Sequence, residues 1–381
     1  MNGRQKIEAA FSPEGTPEFA AVLCYEGIYM RDHWAQLTRQ PWWADQSPNL
    51  DERMAAWSEI VPAIGQDWMA LSACPSRRYR EAHAIETGAE GVFRMNRLTG
   101  ARQRLYEPQV SGWDLVERGY SGHVERLAST PDEIDQLLEP LSRFDPQEFL
   151  AQGYADLAQR QLAAFGADHY PICHVSSPLW DCFALWGFEG LMTMVADQPD
   201  LVHYACQRYL TRSLYQVHQS AALGARGIWI EECLTDQISP AAYEALNLPY
   251  LRAVVDEIRA CGMHSIYYYC GNPTRRLDLL LSSGADALAL EESKKGFTID
   301  ITEIAEAVDG RCVLFGNLDA IQLLPHASEA TLRAEIERQL AAGRRNQSRF
   351  VMSLGSPVTP ETSPERVRQY GEWIHDISKG C

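Results

Sequence analysis

The chain has 381 residues, 46% hydrophobic and 22% charged, a globular composition long enough for one large core. Lys plus Arg number 34 against 51 Asp plus Glu, giving a formal charge of 34 − 51 = −17, which excludes phosphate backbones and anionic membrane surfaces as partners: no nucleic acid, no membrane. Residues 1–6 lack the apolar stretch of a signal peptide, the most apolar window (179–196) is interrupted by Asp181 and Glu189, and ten scattered cysteines read as reduced thiols, so the expectation is a cytoplasmic protein.

In chain order, the first 125 residues are rich in Trp, Arg and Pro and only weakly periodic, with strand-like runs at 20–23 and 67–71. The Trp-rich stretch from Trp34 to Trp43 suits a flat apolar pocket, core packing or a subunit interface. Runs at 92–95 and 102–106 flank a turn containing Gly100, which predicts a β-hairpin. From about residue 166 the pattern changes. Short apolar runs at 170–175, 227–230, 265–269, 285–290, 312–315 and 350–353 alternate with helix-length segments at 249–261, 274–283, 301–308 and 329–342. Parallel strands need such crossovers, and six units plus the two earlier runs make about eight, the number that closes a barrel. No Gly-rich phosphate loop follows the first strand, which argues against an open doubly wound sheet. The fold class expected is α/β, a (β/α)8 TIM barrel with an irregular N-terminal extension containing a β-hairpin. One domain spans 1–381, with 1–125 partly irregular and the barrel core at about 166–376.

The residues just beyond each run converge on one mouth in such a barrel. They are Ser176-Ser177, Glu231-Glu232-Cys233 with Asp236, Cys270-Gly271-Asn272, Glu291-Glu292-Ser293, Gly316-Asn317-Leu318-Asp319 and Gly355-Ser356. Singly, each also reads as a helix cap or turn former; as a set they read as an active site. Each glutamate pair puts one side chain inward and one outward. Cys270 reads as a nucleophile or a metal thiolate, with Glu232 or Cys233 as partner ligands for zinc. His264 falls at the opposite barrel end and His174 within a strand, so both are expected to be structural.

Several of these segments resemble one family. Gly187-Phe188-Glu189-Gly190-Leu191 with Asp197-Gln198-Pro199-Asp200 is similar to the G-x-E-x-L … P-[ED] helix of the uroporphyrinogen decarboxylase superfamily. Ile238-Ser239-Pro240 with Leu248-Pro249-Tyr250-Leu251, then Cys270-Gly271-Asn272, Gly316-Asn317-Leu318-Asp319, and Gly355-Ser356 through Thr359-Pro360 and Pro364-Glu365 resemble its later motifs. The resemblance implies the (β/α)8 barrel, often as a homodimer, and two chemistries. Its decarboxylases act on a polyanionic tetrapyrrole without a cofactor, and carry an R-Q-A-G-R-Y signature and a G-H-G loop. Here residues 25–31 keep only Arg31 of that signature, Glu26 would repel carboxylates, and Ser356 replaces the loop histidine. Its methyltransferases move a methyl group between a small substrate and a corrinoid (cobalamin) protein, some through zinc held by H-x-C and a late cysteine. In this chain those positions are Tyr268, Cys270 and Ser356. Donors with oxygen- or nitrogen-linked methyl groups instead need an acid, which Glu232, Asp319 or Tyr268 would supply.

The expectation is therefore a methyltransferase-like enzyme with a small-molecule methyl donor or acceptor and a corrinoid-protein partner. Glu232, Cys270 and Asp319 are its candidate catalytic residues. Arg31, Tyr268, Asn272, Asn317 and Ser356 are its candidate substrate-binding residues, and Cys270 with Glu232 its candidate zinc ligands. The alternatives are a cofactor-independent decarboxylase of uroporphyrinogen type and a ligand-binding pseudoenzyme.

Overall fold

A computed structural model describes residues 1–110, 128–138, 141–233, 235–294 and 296–379. Among the described residues the strands are β1 (Trp68–Ala70), β2 (His83–Gly88), β3 (Gly91–Asn96), β4 (Arg102–Leu105), β5 (Tyr170–Ser176), β6 (Gly227–Glu232), β7 (His264–Tyr269), β8 (Ala287–Leu290), β9 (Val313–Phe315) and β10 (Phe350–Val351). β1 and β5 to β10 form one parallel sheet in the order β1-β5-β6-β7-β8-β9-β10. The strands are short and apolar, and β8 and β9 are buried throughout, as strands covered on both faces must be.

The sheet closes on itself through residues 20–22, the eighth stave. Ala21 bridges in parallel to Met352, with Met352 N–H donating to Ala20 O and Val22 N–H to Met352 O, both at 2.9 Å. On the other side Asp67 N–H donates to Ala21 O at 2.8 Å, one residue before β1. Asp67 fastens this seam with its side chain as well. Its carboxylate accepts from Ala21 N–H and faces His375 Nε2, each at 2.7 Å, with Lys6 Nζ 3.6 Å away. Burial would push this carboxyl up. The His375 hydrogen bond, the charges of His375 and Lys6, and the Ala21 N–H outweigh it, and the pKa is lowered.

Side-chain alternation separates two cores. Trp68, Tyr170, Ile172, Trp229, Ile266, Tyr268 and Phe315 fill the barrel, with Trp229 stacked on Tyr268 at 4.9 Å and edge-on to Trp68 at 5.6 Å. Ile228, Ile230, Tyr267, Tyr269, Leu288 and Leu290 face outward against the helices. Ser239, Asp300 and Ser328 cap Pro240–Leu246, Ile301–Val308 and Glu329–Arg345 with side-chain oxygens.

The expected hairpin is β3–β4, but it gains a third strand: β2 pairs antiparallel with β3. β2 escaped the sequence reading because its second half (Glu86, Thr87, Gly88) is exposed and shows no apolar alternation. The helix expected at 274–283 is only Leu277–Leu281, because Asn272 Oδ1 ties up Thr274 N–H in a turn and Arg275 sits at φ 63°. Residues 111–125 of the irregular segment lie outside the described residues. Among those described, no helix is long and apolar enough to cross a membrane.

Replacing Asp67 by Asn leaves Lys6 buried without its counter-charge and should cost about 3 kcal/mol in urea unfolding at pH 7. Because the folded pKa is lowered, this stabilisation is complete above the unfolded value of about 3.9 and is lost as pH falls through the folded value. The gap between wild type and Asp67→Asn should therefore close on acidification.

Candidate active site

The loops following the strands form a mouth occupied by aromatic, acidic and thiol groups. On β6, Trp229 points inward, so Glu231 does too, and Glu232 points out. Glu231 Oε1 lies 3.1 Å from His174 Nδ1 across the β5–β6 pair, with about a quarter of each side chain exposed. Tyr25 lies over this pair: its ring centroid is 5.8 Å from His174 and 5.6 Å from Tyr268. Its φ of 55° is strained for a side chain of this size, and it begins the helix Glu26–Asp32 in that conformation.

β7 brings Tyr268 and Cys270 to the same mouth. Tyr268 O–H donates to Gly355 O at 2.7 Å. Cys233 and Cys270 occupy matching places after β6 and β7, and both are partly exposed. Hydrogen bonding from Cys233 and then burial push the Cys270 thiol well up. Burial and the nearby Glu231 do the same to the Tyr25 phenol. These groups therefore stay protonated at neutral pH.

The third wall carries charge. Lys294 Nζ is 2.7 Å from Glu291 Oε1, 3.5 Å from Glu292 Oε1 and donates to Ser356 Oγ at 2.7 Å, while Ser356 Oγ donates to Glu292 Oε1 at 2.8 Å. Gly355 has no room for a side chain, since a Cβ would stand 2.2 Å from Glu292 N. Gly271 likewise backs onto the Asp236 carboxyl at φ 137°, so the loops after β6 and β7 touch there.

The structure thus gathers Tyr268, Cys270 and Ser356 around Lys294 and Glu291. It does not bring Glu232 to them. Glu232 is fully buried behind the sheet, accepting from Asn247 Nδ2 at 2.6 Å, with Ser177, Asp181 and Tyr267 around it. This corrects its expected place in the mouth and its expected sharing of a metal with Cys270: the two project from opposite faces of one sheet. Asp319 Oδ1 accepts from Ile321 and Gln322 N–H, Asn272 Oδ1 from Thr274 N–H, and Asn317 Nδ2 donates to Glu291 O. Asp319 and Asn272 thus shape their own loops, and Asn317 ties the loop after β9 to the one after β8. Arg31 Nε is 2.7 Å from Asp32 Oδ1 on the N-terminal helix, beside the cavity described next.

That cavity, about 340 Å³, adjoins the mouth and is lined by Glu26, Met30, Arg31, Trp34, Trp42 and Trp57 among others. Of the three uses the sequence left open for the Trp-rich stretch, Trp34 and Trp42 serve the pocket. The dyad His174–Glu231 was missed by sequence reasoning. The period-two alternation through Trp229 would have singled out Glu231. His174 is not a packed core histidine, because its ring opens to the mouth. His264 does sit at the far barrel end, stacked on Phe11 at 4.1 Å and bonded to Tyr170 O–H.

A zinc centre at the family's ligand positions does not fit this donor set. The Tyr268 hydroxyl is spent on Gly355, and the Ser356 hydroxyl on Glu292 and Lys294. Among the described residues the metal-type group of three that does occur is His218, Glu257 and Cys261, in the outer helical layer.

A (β/α)8 barrel with an enzyme-like mouth defines the class, and comparison supplies the family. The sequence profile of uroporphyrinogen decarboxylase (URO-D) matches residues 119–377, so the chain belongs to that family. A uroporphyrinogen decarboxylase of Azotobacter vinelandii is 28% identical over 290 residues, covering 72% of this chain and 76% of that protein; one from Pseudomonas putida is 26% identical over 283 residues, covering 71% and 76%. Among solved structures, a methyltransferase from Methanosarcina mazei shares the fold over 99% of both chains, with a TM-score of 0.64 at 16% identity.

Burial pushes Glu232 up to about 8, with Asp181 beside it raised to about 6. An acid whose folded pKa is raised holds its proton longer in the folded state, so stability falls as pH rises from the unfolded value to the folded one. Wild type should lose stability between about pH 5 and pH 8 with a slope approaching 1.4 kcal/mol per unit. Glu232→Gln should flatten that slope in urea titrations, leaving the smaller Asp181 contribution.

Proposed function

We propose that the protein is a methyltransferase-like enzyme that passes a methyl group between a small methylated substrate and a corrinoid carried by a partner protein. The observation that carries this reading is the charge of the mouth. Glu231, Glu291 and Glu292 face it, and Glu26 lies beside it. The described cations nearby are committed: Lys294 to Glu291 and Glu292, Arg31 to Asp32, and Arg276 to the backbone carbonyls of Thr235, Asp236 and Ile238. A porphyrinogen bearing many carboxylates needs arginines that pair with them, and this mouth would repel it. A small neutral or cationic substrate meets no such barrier.

In transfer to the corrinoid, the bond from the methyl carbon to its heteroatom breaks and the electron pair stays on the heteroatom, while cobalt(I) supplies both electrons of the new bond. An oxygen leaving group must also take a proton. With Nδ1 turned to Glu231, His174 keeps Nε2 to give that proton, and the carboxylate holds the ring in place. Protonated Cys270 and Tyr268 supply polar, uncharged walls. In the reverse direction the same imidazole takes the proton from the acceptor.

The family relatives' names support a second reading, removal of carboxyl groups from uroporphyrinogen. The two separate in one experiment. Purified protein with cob(I)alamin and a panel of methoxy and methylamino donors should give methylcobalamin by absorbance, and His174→Gln should slow transfer from methoxy donors by about 10²- to 10⁴-fold. Carboxyl loss from uroporphyrinogen by mass, without any corrinoid, would overturn the proposal.

A further inference from the structure

We infer that the Trp-lined cavity beside the mouth binds a methylated ammonium cation. As the identity of the methyl donor this rests on the function proposed above; as a binding site it does not.

The cavity lies between the helix Glu26–Asp32, the turn Trp42–Gln46, the helix Leu50–Ile64 and the end of β1, with a volume of about 340 Å³, at the small end of ligand pockets. Trp34, Trp42 and Trp57 line it and none is fully buried, so indole surface faces the space. Indole faces attract cations, above all those whose charge is spread over methyl groups. The charged lining points the same way. Glu26, Asp32, Asp45 and Glu107 line the cavity with one cation, Arg31, which is 2.7 Å from Asp32, while Asp45 also faces Arg53 at 3.4 Å.

Two of these carboxylates are built in rather than decorative. Glu26 and Asp32 are 2% and 8% exposed, and Asp32 Oδ2 has no hydrogen-bond donor. The Glu26 carboxyl accepts from Ala70 N–H at 2.7 Å and is also hydrogen-bonded by Gln66 and Trp68, while burial pushes its pKa up. A buried carboxylate oxygen with no donor is costly, and a nearby positive charge offsets that cost. A methylated ammonium ion supplies the charge while its methyl groups pack on the indoles. An anion would be repelled, and a neutral ether would gain nothing from the acidic lining.

The cavity lies next to the mouth, since Glu26 on its wall directly follows Tyr25, whose ring lies over His174. The transfer step balances without an acid. The carbon–nitrogen bond breaks, its pair remains on nitrogen, and the amine departs neutral. The methyl carbon bonds to the cobalt(I) of the corrinoid co-substrate, which provides both electrons.

The test is binding without corrinoid, followed by tryptophan fluorescence and calorimetry, with choline and its uncharged isostere 3,3-dimethyl-1-butanol as probes. Choline should bind at least about tenfold more tightly than the alcohol. Trp42→Ala and Trp57→Ala should each weaken choline about tenfold, Trp42→Phe should restore most of the loss, and Asp45→Asn should weaken it a few-fold, with thermal melts confirming that each variant is folded. Equal affinity for the two probes, or choline binding unchanged in folded Trp42→Ala, would overturn the inference. Choline binding with no methyl transfer from any donor would sink the proposed function and leave this site standing. Transfer from methoxy donors with no choline binding would do the reverse.

Discussion

The barrel depends on one short seam. Residues 20–22 make the pairing that joins β10 to β1, and the staple that holds them is the Asp67 carboxylate with Ala21 N–H, His375 and Lys6 gathered around it. Gly3 belongs to the same arrangement: a Cβ there would come within 2.5 Å of Asp67 Oδ1, so the first helix reaches the carboxylate only because position 3 has no side chain. The mouth inherits its geometry from this seam. Tyr25 leaves the first stave immediately beyond it, and its strained backbone turns the ring over His174 and Tyr268. The helix that follows carries Glu26, Arg31 and Asp32 to the cavity.

Most of the architecture is legible in the sequence because strand burial on both faces leaves a strong signal: apolar runs bounded by turns, spaced by helix-length segments. Even the seam staves at 20–23 and 67–71 show it. Exposed elements are less legible. β2 carries mixed polar residues because one edge of its small sheet is wet, and no apolar rhythm marks it.

The site was harder for a different reason. The sequence names which residues stand at strand ends, but a single-residue choice of face decides their chemistry. Glu231 and Glu232 are adjacent and identical in type. One shares a partly exposed mouth with His174, and the other is sealed behind the sheet against Asn247 with its proton retained. Likewise Asp319, Asn272 and Asn317 occupy mouth-proximal positions while their polar atoms satisfy loop backbone. What sets the mouth apart chemically is a division between protonated and charged groups. Cys270, Tyr268 and Tyr25 are held neutral by burial and by one another, and Lys294 with its two glutamates holds the charge on the opposite wall.

The seam also fixes an order of events on the ribosome. Residue 21 finds its pairing partner 331 positions later, at Met352, and the Asp67 staple is completed only by His375. Until both have emerged, the growing sheet has two raw edges and no way to close, a long-range pairing that is slow to form and exposed to strand-to-strand association in the meantime.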